Sequence, residues 1–166
     1  VIKDCIDLVR KNHGIDIDFD DMDYDDKNVF EYISSGNTSG IFQLESAGMT
    51  DFMKRFKPQS IEDITLGISI YRPGPMKFID MCLCNKNSPG GTVYEHELMK
   101  PILSDTYGCM IYQEQIMQIC RDMAGYTTGE SDLVRRLMSK KKMSALLKEK
   151  DRFVRGAEKN GIPTEV

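Results

Sequence analysis

Apolar residues recur at helical spacing through most of the chain, and this periodicity restricts the fold more than any other feature of the sequence. The clearest case is the stripe of Met49, Phe52, Met53 and Phe56, which puts four apolar side chains on one face of a helix. Similar stripes precede several Gly or Pro residues, which end helices. The sequence therefore predicts a mainly α fold, an irregular helical domain with short extended segments and long connections.

Two capping-box patterns refine this prediction. Ser60 is followed by an acid three residues later, as is Thr127, and each pattern marks the first turn of a helix. For the helix that starts at Ser60, we expect the inner face to carry Ile61, Ile64 and Ile68. Residues 85–92, NKNSPGGT, have the composition of a surface loop.

Composition and charge exclude several classes of protein. The five cysteines are irregularly spaced and the two histidines stand alone, so we expect reduced thiols, no zinc site and a cytoplasmic location. No apolar run is long enough to span a bilayer, so no membrane is expected as a partner. The net charge is −4, but residues 84–166 hold 13 Lys and Arg against 11 Asp and Glu. An acidic chain binds nucleic acid poorly overall, yet this basic end can still meet phosphates.

The acidic stretch at residues 14–26, GIDIDFDDMDYDD, allows more than one interpretation. It fails as a calcium loop, because Asp21 stands where the loop needs Gly and Lys27 where it needs Glu. A two-metal catalytic centre would need a further carboxylate from elsewhere. The residues favour a solvated acidic linker that ends in a helix N-cap at Asp25 or Asp26.

A basic cluster near the C-terminal end is the main candidate for ligand binding. Five cations fall within eight residues: Arg135, Arg136, Lys140, Lys141 and Lys142. On a continuous helix, Arg136 and Lys140 would repel each other at the i, i+4 spacing. A protein tolerates such repulsion to bind an anion, or where a helix ends and cations suit its C-terminus. The residues alone leave both interpretations open.

Five segments occur in order along the chain: GIFQLESAGM, YRPGP, TYGCMIYQEQIMQI, AGYTTGESDLVRRLMSKKK and NGI. Together they resemble the C family of replicative bacterial DNA polymerases, the polymerase III alpha subunits, and the likeness runs from about Val1 to Ile162. The resemblance implies that residues 1–35 are an acidic connector and helix leading out of the palm. It implies that residues 36–166 are the N-terminal part of the fingers domain, within a longer protein.

The resemblance also implies where the chemistry lies. The family's catalytic carboxylates occur in an Asp-x-Asp motif preceded by Pro-Asp and in a later Lys-x-Asp motif, and this chain matches neither. It should thus hold no catalytic residue and no metal ligand, should be inactive alone, and should leave Mg²⁺ to other parts of the full-length enzyme. Primed DNA, deoxynucleoside triphosphates and other replicase subunits are the implied partners. The implied triphosphate contacts are Arg135 and Arg136 first, then Arg72, Lys140, Lys141 and Lys142.

A second hypothesis belongs to a different class of protein. In it, the chain is a stand-alone helical binding module whose acidic loop binds a divalent metal and whose basic end docks a partner. Micromolar metal affinity in the acidic stretch would favour the module. An upstream pair of catalytic carboxylate motifs in the same reading frame would favour the polymerase.

Overall fold

The structure, a computed structural model, describes residues 1–88 and 90–166. These residues form α-helices joined by turns and short 3₁₀ helices, with no β-strand among them, which confirms the mainly α prediction. The α-helices are α1 (Ile2–His13), α2 (Lys27–Ser34), α3 (Ala47–Phe56), α4 (Ile61–Ile70), α5 (Ile79–Lys86), α6 (Lys100–Leu103), α7 (Gln113–Ala124), α8 (Thr128–Ser139) and α9 (Met143–Lys159).

Local sequence signals set the helix ends. α1 ends at Gly14, whose left-handed conformation (φ 68°) suits glycine at this position. The carboxylate of Asp26 accepts a hydrogen bond from the Asn28 backbone N–H and so begins α2, which confirms the predicted cap. Between these helices, residues 14–26 form neither helix nor strand and almost all are exposed.

The first core lies where α2, α3, α4 and α5 meet. All four residues of the stripe on α3, from Met49 to Phe56, are buried there, as predicted. The rings of Phe52 and Phe56 stack with their centroids 5.3 Å apart, and Tyr71 stacks on Phe52 at 5.7 Å.

The predicted inner face of α4 is right only in part. Ile64 and Ile68 are partly buried and pack against the first core, but Ile61 is exposed. The fully buried positions are instead Asp63, Leu66, Gly67 and Ile70. The hydrophobic pattern could not show this, because a charged residue and a glycine lie on the true inner face. Asp63 turns inward to meet a lysine, and a Cβ at Gly67 would lie only 2.5 Å from the Met53 methyl group.

The predicted surface loop at residues 85–92 is wrong at its start. Asn85 and Lys86 are the last residues of α5, and their side chains turn inward to bind Tyr107. Pro89, in the middle of the predicted loop, lies outside the described residues. Gly90 and Gly91 are exposed and belong to no helix.

The second core lies among α6, α7, α8 and α9. Ile119, Met123 and Ala157 pack in one cluster, and Cys120 and Val134 pack in a neighbouring one. In the part of the chain that the structure describes, no helix is long and apolar enough to cross a membrane.

Candidate phosphate-binding surface

The first turn of α8 has the predicted capping box. Thr127 Oγ1 accepts from the Glu130 backbone N–H at 3.3 Å, and Glu130 Oε2 accepts from the Thr127 backbone N–H at 2.8 Å. The Arg152 guanidinium donates to the other carboxylate oxygen of Glu130. These hydrogen bonds, first from the Thr127 backbone and then from Arg152, lower the pKa of Glu130 to about 2. The start of α8 is thereby tied to α9.

A second contact ties α9 to the turn before α8. The Tyr126 ring is buried, with the Arg152 guanidinium carbon 4.5 Å from its centroid. Its hydroxyl donates to Glu149 Oε2 at 3.1 Å. Burial, then this hydrogen bond to a carboxylate, raises the pKa of Tyr126 to about 12. The two contacts place α8 at a fixed position over α9.

Asp132 holds both arginines of the predicted site, one on each carboxylate oxygen. Its Oδ1 accepts from Arg135 Nε at 2.9 Å and from Nη2 at 2.7 Å. Its Oδ2 lies 2.7 Å from Arg136 Nε. The hydrogen bond from Arg135, followed by the charge of Arg136, lowers the pKa of Asp132. The structure thus brings Arg135 and Arg136 together through one carboxylate.

The two guanidinium groups differ in what they leave available. Arg135 also donates from Nη1 to Gln113 Oε1 at 2.6 Å, so it links α8 to the first residue of α7, and its side chain is 27% exposed. Arg136 lies with its Nε 2.7 Å from Asp132, and its side chain is 64% exposed. Among the described residues, Arg136 forms no ion pair with a second carboxylate. Most of the Arg136 side chain is therefore open to solvent, while Arg135 is largely occupied within the fold.

The three lysines of the cluster follow directly after α8. The helix ends at Ser139, Lys140 is its C-cap, and Lys141 adopts a left-handed conformation (φ 52°). The side chains of Lys140, Lys141 and Lys142 are exposed. Cations at the C-terminal end of a helix interact favourably with the helix dipole. The position of the three lysines therefore fits a stabilised helix end, and the same lysines concentrate positive charge that could bind an anion.

The sixth predicted residue, Arg72, lies elsewhere in the fold. It is exposed in the turn after α4, where its carbonyl accepts from the Met76 backbone N–H at 3.0 Å. The structure brings five of the six predicted cations onto one helix and its end, whereas Arg72 lies on a different segment of the fold.

The carboxylates of the acidic stretch are used locally. Asp18 Oδ1 accepts from the Asp20 backbone N–H at 2.9 Å, and Asp23 Oδ1 accepts from the Asp25 backbone N–H at 2.9 Å. Asp16 pairs with the Arg10 guanidinium. Across the described part of the chain, no group of three acids, histidines or cysteines converges as metal ligands would. These contacts suit turns in a connecting segment.

Sequence reasoning missed a buried ion pair in the first core. Lys86 Nζ lies 2.5 Å from Asp63 Oδ2, and both side chains are less than 10% exposed. Tyr107 donates its hydroxyl to Asp63 Oδ1 at 2.8 Å and accepts from Lys86 Nζ at 2.8 Å. The rings of Phe56 and Tyr107 flank the ammonium, with centroids 4.8 and 4.7 Å away. Burial, then the bond to Asp63, raises the pKa of Tyr107 above its usual range.

Comparison with known proteins identifies the family. The family model described as the bacterial DNA polymerase III alpha subunit finger domain matches residues 1–161. DNA polymerase III subunit alpha of Staphylococcus aureus (strain COL) is 43% identical over all 166 residues, and that of Staphylococcus epidermidis (strain ATCC 35984) is 44% identical. The chain spans 16% of the length of these relatives. Together with the helical fold, these matches show that the chain belongs to the bacterial DNA polymerase III alpha subunit finger domain family.

Proposed function

We propose that this chain is the part of a DNA-directed DNA polymerase that contacts the triphosphate of the incoming deoxynucleotide, through the C-terminal half of α8. The catalytic carboxylates and the Mg²⁺ they bind belong to other regions of the full-length protein. Residues 1–35 connect those regions to this domain, and the isolated chain does not extend a primer. Primed DNA and other replicase subunits are partners of the full-length protein.

The observation that carries this proposal is the state of Arg136. Its Nε lies 2.7 Å from Asp132 Oδ2, and its side chain is 64% exposed. A guanidinium that is oriented at one edge and open at the other can hold two phosphate oxygens at once. Orientation before binding also reduces the entropy lost when the ligand is held.

The other cations have supporting roles in this proposal. Arg135 positions Arg136, because it links Asp132 on α8 to Gln113 on α7. Lys140, Lys141 and Lys142 raise the local positive potential without fixing a phosphate geometry. Arg72 contributes only if the full-length protein brings the turn after α4 near the same triphosphate.

Arg136→Ala in the full-length subunit tests the role of Arg136. Losing one charged hydrogen bond costs about 1.5–3 kcal/mol, which corresponds to a drop of roughly ten- to a hundredfold in kcat/KM for nucleotide incorporation. Arg136→Lys restores the charge without the fork and should recover only part of the loss. Steady-state incorporation on a saturating primed template gives both values.

Arg55 supplies a matched control. It too is an exposed arginine paired with one carboxylate, with Nη2 3.1 Å from Asp80 Oδ1, but it lies on α3. Arg55→Ala should leave kcat/KM within about twofold, because in this proposal Arg55 contacts neither the nucleotide nor any residue that does. If Arg136→Ala behaves like Arg55→Ala, the proposed phosphate contact is wrong.

A further inference from the structure

A second cationic site lies on α9, away from the basic end of α8. A cavity of about 490 Å³ opens where α9 crosses the C-terminal end of α7. Arg152, Arg155 and Lys159 line it from α9, together with Asn160 and Gly156. Its opposite wall is Ala124, Gly125 and Tyr126. Within the described residues, no acidic side chain lines this cavity.

Two of the three cations have no carboxylate partner in the part of the chain that the structure describes. Arg155 Nε donates only to the backbone carbonyl of Asp151, at 3.0 Å, and Lys159 forms no ion pair there. Arg152 differs, since Glu130 and Glu149 bind it. Arg155 and Lys159 are one turn apart on the helix, where like charges repel. An anion placed between them would relieve that repulsion.

The shape of the site favours a phosphate backbone over a free nucleotide. Arg155 and Lys159 are four residues apart, about 6 Å along the helix axis. One strand of duplex DNA carries a phosphate about every 3.4 Å of its axis, so this span matches about two phosphate steps along one strand. A nucleotide would also need a surface for its base, but the Tyr126 ring is 6% exposed and Arg152 lies over its face.

The packing beneath α9 fixes the position of the site. Asn160 Nδ2 donates to the Met123 carbonyl at 2.9 Å, which ties the end of α9 to α7. Gly156 touches the backbone at Ala124 so closely that a Cβ there would overlap the carbonyl oxygen. The two available cations are therefore presented by a backbone that is held against its neighbour.

We propose that Arg155 and Lys159 bind the phosphodiester backbone of a DNA strand, without reading its sequence. This inference rests on the proposed polymerase function, since it assumes that DNA reaches this surface. The site is separate from the triphosphate contacts of α8. It adds affinity for the nucleic acid and no contact to the incoming nucleotide.

The test is the DNA affinity of the full-length subunit carrying Arg155→Ala with Lys159→Ala. Fluorescence anisotropy would measure the Kd for a labelled primed template across a salt series, using two oligonucleotides of unrelated sequence. We expect a Kd about tenfold higher at low salt, with the same loss for both sequences. The slope of log affinity against log salt should fall in magnitude by about 1.4–1.8, because two phosphate contacts are lost.

Lys3→Ala with Lys148→Ala is the matched control. It removes two positive charges from exposed side chains outside the cavity, and its Kd should stay within about twofold of the parent. If the α9 variant binds like this control, or if its loss depends on base sequence, the proposal is overturned. Separate duplex and single-stranded probes show which strand form carries the loss.

A charge-preserving variant keeps the test decisive. If the double alanine variant unfolds at lower temperature than the parent, its DNA affinity alone does not separate lost contacts from lost stability. The affinity of Arg155→Lys with Lys159→Arg is then measured, because this variant keeps both charges. Near-parental affinity in that variant supports the backbone contact, and a loss equal to that of the alanine variant overturns it. Failure of the triphosphate proposal would appear in the kcat/KM of Arg136→Ala, and failure of this one in the DNA Kd.

Discussion

The strongest stability prediction concerns the buried pair of Asp63 and Lys86, which we perturb with Lys86→Met. Methionine keeps the apolar stem between the rings of Phe56 and Tyr107 and removes only the ammonium. The Asp63 carboxylate would then remain buried without its counter-charge. It would still accept from the Tyr107 hydroxyl and from the Gln59 backbone N–H, each at 2.8 Å.

These remaining contacts set the magnitude. Removing one partner of a buried ion pair costs about 3–5 kcal/mol, because the other charge is left uncompensated. Two surviving donors to Asp63 place the expected loss in unfolding free energy at the lower end, about 3 kcal/mol. Asp63→Asn with Lys86→Met removes both charges, so the double variant should lose less than Lys86→Met alone, about 1–2 kcal/mol.

Urea unfolding of the 166-residue chain, followed by far-UV circular dichroism, measures these values. The midpoint should shift while the m value stays constant, since the surface exposed on unfolding is unchanged. Lys100→Met, at an exposed lysine, is the control and should stay within about 0.5 kcal/mol. A loss below about 1 kcal/mol for Lys86→Met, or a larger loss in the double variant, would refute the reasoning.

Two further predictions concern the acidic stretch and the start of α8. Calorimetry should show that residues 14–26 bind Mg²⁺ or Ca²⁺ only in the millimolar range or weaker; a micromolar site abolished by Asp16→Asn with Asp18→Asn would revive the binding-module hypothesis. The folded-state pKa of Glu130, about 2, lies below its unfolded value of about 4.3, so the stabilisation from its carboxylate is present above about pH 4.3 and is lost as the pH falls toward 2. Glu130→Gln should therefore reduce the fall in urea midpoint between about pH 5 and 2, and an unchanged pH profile would contradict the assignment.

Helix positions were predictable where the signal is local. The stripe on α3, the cap at Asp26 and the box at Thr127 each involve residues within a turn or two, so spacing alone identifies them. The same holds for the pairing of Asp132 with Arg135 and Arg136, which are three and four residues apart and could have been read from the sequence.

Contacts between distant residues were not predictable. Lys86 meets Asp63 across 23 residues, and Tyr107 meets Asp63 across 44. Lys86 stands among polar residues that are typical of a surface loop. The sequence therefore does not indicate that its side chain turns inward between the rings of Phe56 and Tyr107. The prediction for α4 missed the burial of Asp63 for the same reason, since the hydrophobic pattern places Asp63 outside and the ion pair draws it in.

The candidate site divides in the same way. The sequence located the five cations in the C-terminal half of α8 and just after it. Only the packing of α8 on α7 distinguishes Arg135, which also binds Gln113, from Arg136, whose side chain is 64% exposed. Arg155 and Lys159 gave no signal, because positive and negative residues are mixed along α9 and the cavity exists only where that helix crosses α7.

Gly156 has no side chain, and this allows α9 to pack directly against the backbone of Ala124. The position of the α9 cations depends on that close contact. Because a methyl group at 156 would meet a backbone carbonyl, α9 could accept one only by lifting away from α7. Arg155 and Lys159 flank that residue on the same helix and would be carried outward with it. A substitution that removes no charge and touches no ligand would then displace both cations together. At this crossing, the spacing of two backbones decides where the positive charge lies.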